Sequence, residues 1–499
     1  MTLSKTDYIL WRECRKNAWL KIHRPEIFYR SELSDFEKSI IETGNEVESA
    51  ARGLFPTGIL VEGRDAVAQA KTAELIASHE KTIFQPVFCR DGFLAACDIL
   101  QYDEKADRYD IYEIKASNQV KEKIHSFDLA FQTALLKRAG LRVGKTYILH
   151  FNPEYIRRGE LDITKLFATD DLTETVSGML EAVNEEMTRA LDYLAAEEEP
   201  SGPCECVYKG RSSHCTTFSY SNPHIPEYSV HDIARIGLSK AKLTELIDGN
   251  IYRIEDVPED VKLSEIQANQ VSAQITKRPL IRTDKIAEEL RGLIFPLYFL
   301  DYETFPCAIP RFDGFSPYQQ IPFQYSLHVV RAPDKEPDHY EFLHEGPDDP
   351  CPHIAAALMR DIGKLGTVIV WNKKFEMGRN EELAQRVPAA KSFMQDLNAR
   401  IYDLMDIFTK QYHVHHSYMG STSIKYVLPV LVPELSYKDL TIREGGTASQ
   451  KWNEMVTGIG AEGPVSQVDR TAIASHLKEY CKLDTYAMYA IWKHLYDIC

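Results

Sequence analysis

Phe295-Pro-Leu-Tyr-Phe-Leu-Asp301-Tyr-Glu303-Thr304 is an apolar run that ends on two carboxylates at i and i+2. In a strand that spacing puts Asp301 and Glu303 on one face. A buried strand that delivers paired acids to its end needs a compensating cation, because an unpaired buried charge is costly. Such a pair on its own also occurs at solvated strand ends, so its surroundings decide. Downstream, Gly366–Trp371 reads as a further strand running into Asn372-Lys-Lys-Phe375-Glu376. The late segment Thr471–Tyr496 has a helical pattern and contains Tyr480-Cys-Lys-Leu-Asp484, whose tyrosine and aspartate lie one turn apart on one side. Asp403 and Asp406 are further acids that either approach this group or cap a helix.

Working outward, 499 residues at roughly 100–200 per domain predict two or three domains. Hydrophobic residues at 44% and charged residues at 26% describe an ordinary globular chain. Ile83–Ala116 shows short apolar runs with a polar break at Tyr102–Arg108, as in a strand hairpin. Ser34–Leu54 and Phe127–Ala139 have helical patterns, and Lys145–Phe151 reads as a strand. This mixed order predicts an α/β fold, with a first domain over residues 1–220, a helical linker over 221–290 and a second domain over 291–499. Within the linker, the stretch from Val230 to Leu263 is expected either to contact DNA backbone through a helical hairpin or, the more so, to act as a spacer.

The chain carries 58 Lys and Arg against 74 Asp and Glu, a net charge of −16, which excludes a protein that coats nucleic acid by bulk charge. It does not exclude a nuclease, whose metal site concentrates acids. The first residues lack a secretory apolar stretch and no run reaches the ~20 residues of a membrane span, so the expectation is a cytoplasmic protein with no membrane contact. Between Thr2 and Arg30, Lys5, Arg12, Arg15, Lys16, Lys21 and Arg24 alternate with Tyr8, Trp11, Trp19, Phe28 and Tyr29. Basic charge with aromatic faces suits a single-strand groove, and equally an amphipathic first helix with a solvated basic face.

On the expected strand Arg108–Ala116, Glu113 and Lys115 share a face, and Asp98 ends the preceding run Phe93–Leu100 across the hairpin. Two carboxylates there can hold Mg²⁺ or Mn²⁺ on a phosphate while Lys115 positions water or offsets charge. Glu-x-Lys by itself is common on surface strands. Cys204, Cys206 and Cys215 fall within a short Gly/Pro-rich stretch and lack a fourth ligand, for which Cys14 is the candidate. Four thiolates fit a [4Fe–4S] cluster or a structural Zn²⁺; reduced, unligated thiols are the third reading. The remaining cysteines, Cys481 among them, show no such spacing and read as small core residues.

Asp98 and Glu113-Ile114-Lys115 resemble the core motif of the PD-(D/E)XK, restriction-endonuclease-like nucleases, in their RecB-like branch. That resemblance implies a metal-dependent nuclease domain. It matches Gln132 to the glutamine of the following helix, and it implies a further metal ligand on an upstream helix, commonly histidine after a glycine. Here Gly44-Asn45-Glu46-Val47-Glu48 offers Glu46 or Glu48 instead. One cysteine before the core and three after it is the arrangement of the iron–sulfur clamp in RecB-like nucleases, although C-x-C-x8-C departs from their commoner spacing. Asp-x-Glu, Glu376 after Asn-x-x-Phe, and Tyr480-x3-Asp484 resemble the DEDD exonucleases of the RNase H-like fold (DnaQ type), in the subgroup marked by tyrosine. The resemblance implies two divalent cations held by Asp301, Glu303, Glu376 and Asp484, with Tyr480 orienting the attacking water and 3′→5′ polarity. Glu376 replaces the usual aspartate. With Ile309-Pro-Arg-Phe-Asp-Gly, Pro317-Tyr-Gln-Gln-Ile-Pro and Ser423-Ile-Lys-Tyr-Val-Leu-Pro, the chain resembles the domain-of-unknown-function 2779 type.

The resulting expectation is a metal-dependent nuclease with two active sites, using Mg²⁺ or Mn²⁺ on DNA single strands or ends in repair or defence. The competing expectations are a nucleic-acid-binding or scaffold protein with one or both sites inactive, and an exonuclease directed at RNA.

Overall fold

The computed structural model describes residues 1–29, 35–460 and 463–499. Arg30 of the basic stretch and Ser34, the expected helix start, lie outside the described residues. The chain forms two compact units, one of residues 1–224 with 308–319, the other of residues 225–307 with 320–499. Both are α/β with mixed sheets. From Ile225 onward, the segment expected as a linker belongs to the second unit, where Leu280–Ile281 (β10) pairs antiparallel with His413–Val414.

The first unit opens with β1 (Leu3–Ser4) and α1 (Lys5–Glu13), which starts at a reciprocal cap between Ser4 and Asp7. Then come α2 (Arg15–His23) and α3 (Asp35–Arg52). The strands are β2 (Ile59–Leu60), β3 (Thr82–Phe84), β4 (Val87–Arg90), β5 (Phe93–Ala96), β6 (Ile99–Asp103) and β7 (Arg108–Lys115). After α4 (Glu122–Arg138) follow β8 (Val143–Phe151), β9 (Phe167–Asp171) and α5 (Thr173–Ala195). One sheet has the order β2-β3-β6-β7-β8-β9, the other β1-β5-β4. The hairpin β6–β7 forms where expected. The run Phe93–Leu100, however, is not one strand. It divides into β5 and β6 in different sheets, and Asp98 sits at the break, where the chain changes sheet. Along β7 the buried positions alternate as Tyr109, Ile111 and Glu113, so a carboxylate occupies a core position.

Three aromatic residues of the N-terminal stretch pack inward, while Tyr29 is exposed. Tyr8, Trp11 and Trp19 join Phe93, Phe131 and Leu135 in the core of this unit. Their basic neighbours are paired within the unit: Arg12 with Glu186, Lys21 with Asp7, Lys16 with Glu199. Rings buried in a core cannot stack on bases, which removes these three from a single-strand groove.

In the second unit, β11 (Leu297–Pro306) lies at the centre of a five-stranded sheet, antiparallel to β12 (Gln320–Val330) and parallel to β14 (Thr367–Val370). β13 (Asp338–Leu343) and β15 (Ile401–Asp403) complete the order β13-β12-β11-β14-β15. Leu297–Leu300 is buried throughout, as befits a central strand covered on both faces. The helices that matter for the site are α6 (Pro350–Asp361), α7 (Lys373–Arg386), α8 (Ile424–Leu431), α9 (Gly445–Thr457) and α10 (Gln467–Asp497). α10 runs across the face of β11 that carries Phe299, which meets Tyr489 and Trp492 edge-on or tilted. Two and four residues further along the strand, on the same face, come Asp301 and Glu303. The loop 308–319 that follows β11 clusters with the first unit, where Tyr318 donates to the Ala116 carbonyl at 2.7 Å.

Candidate metal and catalytic centres

The face of β11 and the middle of α10 bring together the acids of the second unit. One ligand atom each from Asp301, Glu303 and Cys481 lie within 4.8 Å of one another. Asp484, three residues after Cys481 and hence beside it on the helix, is buried and accepts a hydrogen bond from Tyr437 Oη at 2.7 Å. Glu376, in the first turn of α7, is buried, and its Oε2 has no hydrogen-bond partner among the described residues. α7 begins where β14 ends. Asp403, at the end of the neighbouring β15, accepts from the backbone N–H groups of Asn372 and Lys373 at 3.1 and 2.8 Å. Asp403 therefore caps the helix that carries Glu376. Asp406 pairs with Lys373 and Lys410.

These carboxyls perturb one another. Burial, then the Asp484 charge, pushes Asp301 well above the ordinary carboxylate range. Burial and Asp301 do the same to Glu303, and burial with Asp301 and Glu303 to Glu376. Burial raises Asp484 to about 6, against hydrogen bonds from Tyr437 and Tyr480 and the charge of Lys425. Burial and the neighbouring acids raise the Tyr480 phenol far above its usual range, so it is an O–H donor at neutral pH. Removing an ion from water costs on the order of several kcal/mol, and among the described residues the cations that offset the group are Lys425 and Arg379. A buried carboxylate oxygen without a donor, beside other acids, fits a divalent cation as its missing partner. Mg²⁺ or Mn²⁺ suits this oxygen-rich set; Cys481, in contact range, is the one soft donor.

In the first unit, the structure brings Asp98, Glu113, Lys115 and Gln132 together, with Glu48 beside them. Gln132 Nε2 donates to Glu113 Oε2 at 2.6 Å. Lys115 Nζ donates to Glu113 Oε1 at 3.0 Å and also contacts the Asp128 carboxylate. Asp98 accepts from the Ile114 N–H at 2.7 Å and from Gln85 at 3.2 Å, and Gln85 also donates to Glu48 at 2.6 Å. Glu48 is paired with Arg52. Glu46 is exposed. Lys5, the first residue of α1, was not anticipated: its Nζ donates to Glu113 Oε1 at 2.7 Å from 108 residues away. Burial works to raise Glu113, but Lys5 and Lys115 outweigh it and hold the carboxyl down at about 2. Burial and the Glu113 charge bring Asp98 up to about 7.

Cys14, Cys204, Cys206 and Cys215 form a cluster that could bind a metal, their sulfurs all within 4.8 Å of one another. Cys14 and Cys204 each lie 3.7–3.8 Å from Cys215. Asn222 Nδ2 donates to Cys204 Sγ at 3.4 Å, an outer contact of the kind that orients ligands. The cluster ties the turn between α1 and α2 to the end of the unit.

Sequence reasoning missed Lys5, Gln85, Asp128, Lys425, Tyr437 and Cys481. Cys481 had a local signal, three residues before Asp484 on a helix, and Asp128 had one too, a turn before Gln132. Lys5, Gln85 and Tyr437 reach their sites by folding alone.

Residues 298–423 match the family model described as Domain of unknown function (DUF2779). The matched span includes Asp301, Glu303 and Glu376 and ends before Tyr480 and Asp484. No curated protein matches the chain. No helix of the described residues is long and apolar enough to cross a membrane.

Proposed function

We propose that the second unit is an RNase H-like exonuclease domain of the DEDD type, hydrolysing phosphodiester bonds of DNA single strands or ends. The observation that carries this reading is the convergence of Asp301, Glu303, Glu376 and Asp484, from a strand and two helices, into one poorly accessible group. Divalent cations, when bound, would neutralise the scissile phosphate and the charge that develops on it. The four carboxylates would hold them. Tyr480, kept protonated, would hold and orient the attacking water, and Tyr437 fixes the Asp484 carboxylate. Lys425 would supply positive charge on the phosphate side.

For the first unit we propose a RecB-like PD-(D/E)XK nuclease domain acting on the same class of substrate. The juxtaposition of Asp98, Glu113, Lys115 and Gln132 supports it. A second reading rests on Glu113 itself, whose oxygens are already engaged by Lys5, Lys115 and Gln132. A carboxylate so well satisfied holds a cation weakly, which favours a unit that binds nucleic acid rather than cuts it.

For the cysteine cluster we propose a single tetrahedral ion, Zn²⁺, ahead of [4Fe–4S]. Zn–S bonds of about 2.3 Å separate tetrahedral sulfurs by about 3.8 Å, which matches the 3.7–3.8 Å between Cys14 or Cys204 and Cys215. A cubane places each thiolate on a different iron and spreads the sulfurs further apart.

The test is cleavage of end-labelled single-stranded DNA and RNA with Mg²⁺ or Mn²⁺, comparing wild type with Asp301→Ala and Lys115→Ala. Loss with Asp301→Ala assigns activity to the second unit. Salt-dependent binding with no cleavage would move the scaffold reading ahead, and cleavage of RNA alone the RNA-directed one.

A further inference from the structure

A third group of potential ligands lies away from both carboxylate centres, in the second unit. His344 follows β13, Asp348 lies in the loop, and His353 is in the first turn and a half of α6. His344 Nε2 is 3.2 Å from Asp348 Oδ1, and His353 Nε2 is 2.9 Å from Asp348 Oδ2. One ligand atom from each of the three residues falls within 4.8 Å of the others.

We propose that His344, Asp348 and His353 form a binding site for a borderline divalent transition ion of the Zn²⁺, Co²⁺ or Ni²⁺ class, separate from the catalytic acids. Bonds of about 2.0–2.1 Å around a tetrahedral ion put nitrogen and oxygen donors about 3.3 Å apart; here the two imidazoles approach different oxygens of Asp348, at 3.2 and 2.9 Å, with one atom of each residue inside a 4.8 Å group. Two imidazole nitrogens and one carboxylate favour such an ion over Mg²⁺, which prefers an all-oxygen set. Three protein ligands leave a fourth position for water or a partner's side chain.

The surroundings hold the ligands in place. His344 is buried, its backbone N–H donates to Phe323 and its carbonyl accepts from Trp452 Nε1 at 2.8 Å. Its ring stacks on that of His353 with centroids 5.0 Å apart. Gly346 makes room for the carboxylate, since a Cβ there would lie 2.5 Å from Asp348 Oδ1 and 3.3 Å from His344 Nε2. Without an ion, the same atoms form a His–Asp–His hydrogen-bond chain, with His344 Nε2 also 3.1 Å from the Asp348 carbonyl. Binding replaces those hydrogen bonds and releases to solvent any proton carried on the ligating nitrogens. The ion would tie the edge strand β13 to the start of α6.

The experiment is a Co²⁺ titration of the full chain in excess Mg²⁺, followed by its visible absorption, on wild type, His353→Ala and Asp348→Asn. Both substituted side chains are more than half exposed, so the variants keep the fold, and circular dichroism checks this. With the cysteine cluster already filled, the expected result is one Co²⁺ equivalent in wild type with the d–d bands of a tetrahedral nitrogen–oxygen site and no added thiolate charge transfer, lost in both variants. The same number of equivalents in wild type and His353→Ala, or a wild-type signal carrying only thiolate bands, would overturn the site.

Discussion

At the scale of single residues, charge placed against burial shapes both carboxylate centres. Lys5 and Lys115 share one oxygen of a buried glutamate, and a hydrogen bond to a charged group contributes about 2 kcal/mol. Lys5→Met should therefore lower stability by about that much, and in a double-mutant cycle with Glu113→Gln should show coupling of at least about 1 kcal/mol. Additive denaturation midpoints would contradict the contact. In the second unit the sign is opposite. A carboxyl raised in the folded state costs nothing below its unfolded value near 4 and costs most above its folded value. With Asp484 at about 6 and its neighbours higher still, the metal-free protein should lose stability from this group as pH rises from about 4 through 6 and beyond. Mn²⁺ should then raise the melting temperature more at pH 8 than at pH 5. An equal shift at both would mean that the acids do not hold the ion.

At the scale of elements, what was legible in the sequence was periodicity and what was not was tertiary placement. Alternation put Glu113 and Lys115 on one face of β7, and Asp301 and Glu303 on one face of β11, because strand geometry depends only on local spacing. Asp98 could be placed beside Glu113, but not the change of sheet at that residue, since Phe93–Leu100 is apolar enough to read as one strand. Tyr8, Trp11 and Trp19 of α1 and α2 were ambiguous because a basic, aromatic helix looks alike whether its rings meet bases or a core. Asp403 shows how an element can matter without touching the reaction. Asp403→Ala should cost about 1 kcal/mol by leaving the start of α7 uncapped, and should lower kcat through misplaced Glu376 more than it changes KM. Tyr480→Phe should cut kcat about a hundredfold with the fold intact. Unchanged kinetics in both variants would remove α7 and the tyrosine from the account.

At the scale of the molecule, two α/β units each gather acids on central strands, and a cysteine cluster closes the first. The cluster's members were legible because three cysteines crowd one short stretch. Its fourth, Cys14, lies some two hundred positions away, and only the packing of α1 and α2 under residues 204–222 brings it in. Metal analysis of the purified chain should find zinc at the cluster, lost together in Cys14→Ser and Cys215→Ser, and no broad iron–sulfur absorption under anaerobic isolation. Stoichiometric iron and sulfide would contradict the tetrahedral reading. The extent of each unit was less legible: residues 225–290 and 308–319 carry no compositional mark of the unit they join.

The central claim is that the acids of β11, α7 and α10 make the second unit a metal-dependent nuclease. The most direct test is the cleavage of 3′-labelled single-stranded DNA by the full chain with Mn²⁺, alongside Asp301→Ala and Asp484→Asn. The account predicts that wild type releases the label as a mononucleotide in its first cleavage, abolished in both variants and by chelation. Intact DNA and RNA with wild type, or release of the 3′ label as mononucleotide that persists in both variants, would contradict it.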